Sequence, residues 1–158
     1  MSAARQTPAS APLSKARLRF WLRLLKASGE VEAELRRRLR AEFDTTLPRF
    51  DVMAALARAP EGLRMSEISE RLRVSNGNIT GIVDRLAQEG LALRVAVPGD
   101  RRAMVARLTP KGQAVFAEQA IAHEGWIDAL LSGLEAGALA EMTRHLESLN
   151  AHIEKERG

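Results

Sequence analysis

Ser75-Asn76-Gly77-Asn78-Ile79-Thr80-Gly81-Ile82-Val83-Asp84-Arg85-Leu86 is the stretch whose reading decides the fold. Ile79, Ile82, Val83 and Leu86 fall at i, i+3, i+4 and i+7, which predicts a helix with one buried face. At about 100° per residue the opposite face carries Gly77, Gly81 and Asp84, flanked by Asn78, Thr80 and Arg85. A glycine inside a helix costs roughly 0.5–1 kcal/mol relative to alanine. Two of them on one exposed face therefore need an offsetting gain, and close approach of another surface to bare backbone supplies one. Asn, Thr and Arg around that backbone are hydrogen-bonding groups suited to base edges and phosphates. The stretch reads as a DNA-contacting helix, and the rest of the chain is expected to hold two copies of it at a fixed spacing.

The flanking sequence gives this helix a context. Before it, Leu63-Arg64-Met65 is a minimal strand, and Ser66 is expected to cap a helix from Glu67 to about Arg71 with Ile68 and Leu72 facing the core. Arg73-Val74 turns the chain and Ser75 caps the next helix, which gives a helix-turn-helix. Glu89-Gly90 stops the second helix. After it, Leu91, Leu93, Val95 and Val97 alternate with smaller or polar residues, as do Met104, Ala106 and Leu108, so two strands are predicted. Between them lies the turn Pro98-Gly99-Asp100-Arg101-Arg102. A hairpin directly after a helix-turn-helix stands where a wing stands, and arginines at its tip suit a narrow minor groove. In isolation the same tip is a solvated turn with an internal Asp–Arg pair worth about 0–1 kcal/mol; its position favours DNA.

Long helices surround this centre. Residues 13–43 read as one helix with a bend at Ser28-Gly29, striped by Leu18, Trp21, Leu22 and Leu25 and then by Val31, Leu35, Leu39 and Phe43. Thr46-Leu47-Pro48 starts a helix carrying Phe50, Met53, Ala54 and Ala57. Thr109-Pro110 starts another that runs to about Leu131. The last, from about Glu135 to Glu154, places Leu139, Met142, Leu146, Leu149 and Ile153 at alternating three- and four-residue steps, the seam of a coiled coil. Such a seam is expected to pack on the first helix, on its own copy, or on both. Residues 1–12 are small, polar and proline-containing, and read as a disordered tail.

Composition bounds the function. At 158 residues and 46% apolar the chain suits a single domain burying roughly 70% of its unfolded surface. No apolar run approaches the roughly 18 residues of a membrane span and no signal peptide is seen, so a cytoplasmic protein without membrane contact is expected. The net charge of +4 is uneven. Residues 1–47 hold ten basic against five acidic side chains, residues 48–110 ten against seven, and residues 111–158 four against eight. A basic lobe that includes the DNA-contacting helix suits a phosphate-bearing partner. The absence of cysteine excludes disulfides and thiol-based sensing. His123, His145 and His152 lack metal-ligand spacing, and no phosphate-binding glycine loop or nucleophile elbow is present, so no metal, cofactor or enzyme activity is expected.

Several of these residues fall in a known order. Leu47-Pro48-Arg49-Phe50-Asp51-Val52-Met53-Ala54-Ala55-Leu56 is followed by Ser69-Glu70-Arg71-Leu72, then Thr80 with Val83-Asp84-Arg85-Leu86 and Glu89-Gly90-Leu91, then Asp100-Arg101-Arg102 and Leu108-Thr109-Pro110-Lys111-Gly112. This series resembles the MarR family of bacterial transcription regulators over about residues 13–155, and its most specific part is the spacing from helix to wing to Leu-Thr-Pro-Lys-Gly. The resemblance implies a mostly α fold with a small β-hairpin wing. A winged helix-turn-helix DNA-binding domain would span 46–110, and a helical dimerisation domain would be built from 13–45 and 111–158. It also implies a homodimer on a pseudo-palindromic double-stranded operator, usually a repressor released by a small-molecule effector. Carried to this chain, Asn76, Asn78 and Thr80 meet the major groove across the bare backbone of Gly77, and Ser75 and Arg85 hold phosphates. At the wing one arginine is expected to enter the minor groove while the other pairs with Asp100; Arg101 is favoured as the inserted one, with Arg102 the alternative. The effector pocket is expected at Arg17, Trp21, His123 and Trp126, where aromatic faces and an arginine suit an aromatic carboxylate or its acyl-CoA thioester. Packing of the two tryptophans in a dimer core is the alternative. The alternative for the whole chain is a protein-interaction module whose winged helix contacts another protein.

Overall fold

Six helices and three strands follow one another in a computed structural model that describes residues 12–158: α1 Leu13–Phe43, α2 Leu47–Ala57, β1 Leu63–Arg64, α3 Met65–Leu72, α4 Asn76–Gln88, β2 Ala92–Val97, β3 Asp100–Leu108, α5 Pro110–Leu130 and α6 Ala136–Arg157. The expected tail, apart from Pro12, lies outside the described residues. The chain divides into two compact units between Leu47 and Pro48.

The first unit is essentially α1, 31 residues long and unbroken through Ser28-Gly29, where a bend was expected. Its end is fixed by Asp44, which takes a left-handed conformation at φ 48° and returns its N–H to the carbonyls of Arg40 and Leu39. Glu34 accepts from Arg37 and Arg38, in each case at 2.7 Å, and these two guanidiniums hold its carboxyl at about 2, well below the usual carboxylate range. Leu35 and Leu39 are buried, whereas Leu18, Phe20, Trp21, Leu22 and Leu25 are exposed.

In the second unit, α2, α3, α4 and a three-stranded antiparallel sheet in the order β1-β3-β2 enclose one core. Val52, Met53 and Leu56 of α2, Ile68 of α3, and Ile79, Val83 and Leu86 of α4 are almost fully buried. The mostly helical fold with a small hairpin agrees with the sequence reading. Two details differ. Ser66 does not cap α3: the helix starts at Met65, with Arg64 in the cap position and no side-chain bond there. The cause is β1, whose two residues pair with Ala106 and Val105 of β3 and lead straight into the helix. On the hairpin, Ala92, Ala106 and Leu108 face the core, while Leu93 and Met104 are exposed. Small side chains on the inner face let the sheet lie close to the helices.

The start of α5 locks this unit. Thr109 Oγ1 accepts the Gly112 N–H at 3.0 Å as an N-cap and donates to Gly90 O at 2.6 Å. The Thr109 N–H reaches Leu91 O at 3.0 Å, and Lys111 Nζ donates to Glu89 O at 3.1 Å. The carbonyls left over at the end of α4 thus receive donors from the first turn of α5, one of them cationic, as a helix C-terminus favours. The two segments approach so closely that a Cβ on Gly112 would lie 1.9 Å from Leu91 O.

Gly112→Ala is therefore expected to destabilise the fold by about 3 kcal/mol or more and to lower the melting temperature by roughly 6–12 °C in a circular-dichroism melt. Gly29→Ala, where a Cβ meets nothing within 4 Å, is the matched control and should leave the melt unchanged or raise it slightly. Equal melting of the two variants would refute the close contact.

Candidate nucleic-acid interface

α4 is held by one face and bare on the other. Ile79, Val83 and Leu86 are buried in the core. Ser75 caps the helix, its Oγ accepting the Asn78 N–H at 3.4 Å. The preceding turn is closed by the Val74 N–H to Ser69 O at 3.1 Å and by the Ser69 hydroxyl donating to Val74 O. Arg73 takes a left-handed conformation there at φ 54°. α3 and α4 thus form the expected helix-turn-helix.

The outer face carries the predicted contact residues. Asn76, Gly77, Asn78, Gly81 and Arg85 are exposed, and Thr80 is half-buried. Around Gly77 and Gly81 a Cβ would meet nothing within 4 Å among the described residues, so no packing against them explains either glycine. The Thr80 hydroxyl donates to Asn76 O at 2.9 Å, which turns its lone pairs outward as acceptors. Ser75, expected to hold phosphate, spends its oxygen on the helix cap; its neighbouring exposed amides remain those of a helix N-terminus.

The wing stands beside this face. β2 and β3 pair in regular register from Ala92↔Leu108 to Ala96↔Met104, and the register then shifts, with Val97 opposite Asp100. Three residues of β3, Arg101 to Ala103, are thus inserted against none in β2, which bulges the tip. Asp100 Oδ1 accepts the Arg102 backbone N–H at 3.1 Å, and Arg102 is exposed. The Arg101 side chain, expected to enter the minor groove, lies outside the described ones.

Three features were missed in the sequence because they depend on tertiary proximity. Asp84 on the exposed face of α4 pairs with Arg94 of β2, Nη2 to Oδ1 at 2.8 Å. The pair ties wing to helix and neutralises a carboxylate that would repel phosphate. Arg49 of α2 grips Glu89 through both terminal nitrogens, Nη1 to Oε1 at 3.3 Å and Nη2 to Oε2. Arg64 and Ser66 line an open groove with Asp100 and Arg102, which adds a cation beside the wing.

The effector candidates fall in separate units. Arg17 and Trp21 are exposed on α1. On α5, Trp126 is buried and His123 is half-buried, stacked on Phe50 with ring centroids 4.5 Å apart. Burial pushes the His123 imidazole below its ordinary pKa. Among the described residues no group of three potential ligands stands ready for a metal, and no helix is long and apolar enough to cross a membrane.

Comparison with known proteins places this geometry. A family model described as MarR family matches residues 43–103. The transcriptional regulator PecS of Dickeya dadantii is 32% identical over 108 residues, 67% of this chain and 63% of PecS, so the match spans a little under two thirds of that relative. A MarR family transcriptional regulator from Silicibacter pomeroyi is 30% identical, with a TM-score of 0.75 over 91% of this chain and 99% of that one. A mutant E. coli MarR complexed with operator DNA shares the fold at TM-score 0.74 and 21% identity, over 88% of this chain and 99% of that one.

Gly81→Leu separates folding from recognition. Leucine is the better helix former by roughly 0.5–1 kcal/mol and has open space, so the variant should melt no lower than the parent. It should also bind DNA about tenfold or more weakly, because the side chain stands between backbone and groove. Unchanged affinity in a gel-shift titration would mean that this face is not the contact surface.

Proposed function

Because this chain belongs to the MarR family of transcription regulators, we propose that it is a sequence-specific DNA-binding regulator that acts as a homodimer in the cytoplasm and represses its targets until a small aromatic ligand releases it. The observation that carries the DNA reading is the bare face of α4: two glycines with open space around them, on a helix whose opposite face is fixed in the core. Such a surface lets the backbone approach a groove edge while Asn76, Asn78 and Thr80 meet the bases and Arg85 a phosphate. Arg102 on the bulged wing tip, with Arg101 beside it in sequence, supplies the minor-groove contact. The operator complex of the E. coli MarR mutant is a precedent for this fold on DNA.

Two copies follow from the exposed apolar seams of α1 and of α6. Leu139, Met142, Leu146, Leu149 and Ile153 are all exposed along α6, as are Leu18, Trp21, Leu22 and Leu25 along α1. Contiguous apolar rows of this length mark an interface, and a twofold pair of protomers matches the symmetry of a pseudo-palindromic site. We assign residues 13–45 and 111–158 to that interface and 46–110 to DNA contact. Arg17, Trp21, His123 and Trp126 remain the candidate effector residues.

Affinity for the DNA upstream of the protein's own gene, measured against salt, tests the assignment. A reader that neutralises several phosphates should lose orders of magnitude between roughly 50 and 200 mM salt. The double variant Arg101→Ala, Arg102→Ala should bind more weakly with a shallower slope. A salt-independent interaction, or a complex with protein alone, would favour the interaction-module alternative. Separately, Leu146→Asp places a charge in the seam and should shift the protein to monomer in analytical ultracentrifugation; a dimer of unaltered stability would put the interface elsewhere.

A further inference from the structure

Five of the described residues have a positive φ. Three are glycines, Gly62, Gly90 and Gly99, the residue that takes this conformation without steric cost. Asp44 ends α1, and its carboxylate pairs with Arg40 at 3.2 Å. The fifth is Arg73, at φ 54° in the turn between α3 and α4. Helices that end in this conformation do so on glycine or, less often, asparagine, because a larger side chain is disfavoured there. The turn nevertheless holds Arg73 firmly. The N–H groups of Arg73 and Val74 both donate to Ser69 O, and the Ser69 hydroxyl donates to Val74 O. The side chain on this fixed backbone is exposed, and among the described residues its guanidinium makes no hydrogen bond or ion pair. A cation suits the end of a helix, but Arg71 already supplies one in the last turn of α3. An unfavourable backbone locked beneath an unpartnered cation is what an external anion would explain.

The place of Arg73 says which anion. It stands two residues before Ser75, the cap of α4, and three before Asn76. Two residues of chain span at most about 7 Å, so its backbone adjoins the end of α4 that carries Asn76, Gly77 and Asn78. We propose that Arg73 binds a DNA phosphate at the edge of the groove that α4 enters, and that its left-handed backbone is kept to place this cation. This rests on the DNA reading above and adds a contact outside the residues assigned there. A guanidinium suits the role, since it meets phosphate oxygens in pairs. Such a contact fixes the helix on the duplex and carries no sequence information. Folding and binding therefore conflict at Arg73, and substitution should move them in opposite directions.

Gel-shift titrations of the full chain against salt, with DNA from upstream of its gene and with a scrambled duplex of equal length, test it. Arg73→Gly should melt no lower than the parent, because glycine relieves the left-handed backbone. It should bind both duplexes about tenfold or more weakly at roughly 150 mM salt, by similar factors. The slope of log affinity against log salt should be shallower by about 1.8 for a dimer, at about 0.9 per phosphate. Arg73→Asn tolerates the same backbone without loosening the turn as glycine does, and should behave alike. Arg73→Lys keeps the charge and should keep the slope. Glycine and asparagine variants that both melt below the parent would give Arg73 a structural role instead. A loss confined to the upstream DNA would mean that it orients α4 rather than holding a phosphate. A steep parent slope left unchanged by Arg73→Gly would remove this contact alone. A parent whose DNA binding is independent of salt would remove the DNA reading and this contact with it.

Discussion

The contact on which the rest depends is the approach of Gly112 to the Leu91 carbonyl. A side chain at 112 would occupy the space of that oxygen. Only with glycine there can Thr109 reach Gly90 and Lys111 reach Glu89. These bonds satisfy the end of α4 and fix the point at which β2 departs. The direction of α4 and the origin of the wing are therefore set by one close contact between backbones, reinforced from α2 by the Arg49–Glu89 pair.

With its end fixed and its inner face in the core, α4 can afford a poor helical sequence on the outside. Gly77 and Gly81 weaken the helix locally, and the buried row Ile79, Val83 and Leu86 offsets that loss. The Asp84–Arg94 pair is exposed and contributes little to stability. Its consequence is electrostatic, since it removes a free carboxylate from the face proposed to meet phosphates and links helix to wing. The local weakness and the pairing both make sense as costs accepted for a surface that another molecule approaches.

Much of this was legible in the sequence, because it rests on short-range chemistry. The apolar spacing of α4, its Ser75 cap, the Thr109-Pro110 helix start and the alternation on either side of Pro98-Gly99 each depend on residues a few positions apart. Failures came where distant segments compete. Ser66 has the residue type of a cap, yet pairing of Leu63 and Arg64 with β3 moved the helix start back to Met65. Alternation marked two strands but not which face is inward: Ala92, Ala106 and Leu108 face the core while Leu93 and Met104 are exposed. Gly112 belonged visibly to a family motif, but its physical necessity needs Leu91 beside it. Gln119 gave no signal in the sequence: only the structure shows it buried with an Oε1 that meets no donor among the described residues.

The glycine face of α4 is the proposed DNA-contacting surface. Backbone amide NMR shifts of glycine report on it directly, since these resonances are well separated and the face carries two of them. On addition of DNA from upstream of the gene, the amides of Gly77 and Gly81 should shift among the most strongly in the protein, while those of Gly133 and Gly137, beside and within α6, should stay nearly in place. Large shifts at α6 with Gly77 and Gly81 unmoved would place DNA contact elsewhere.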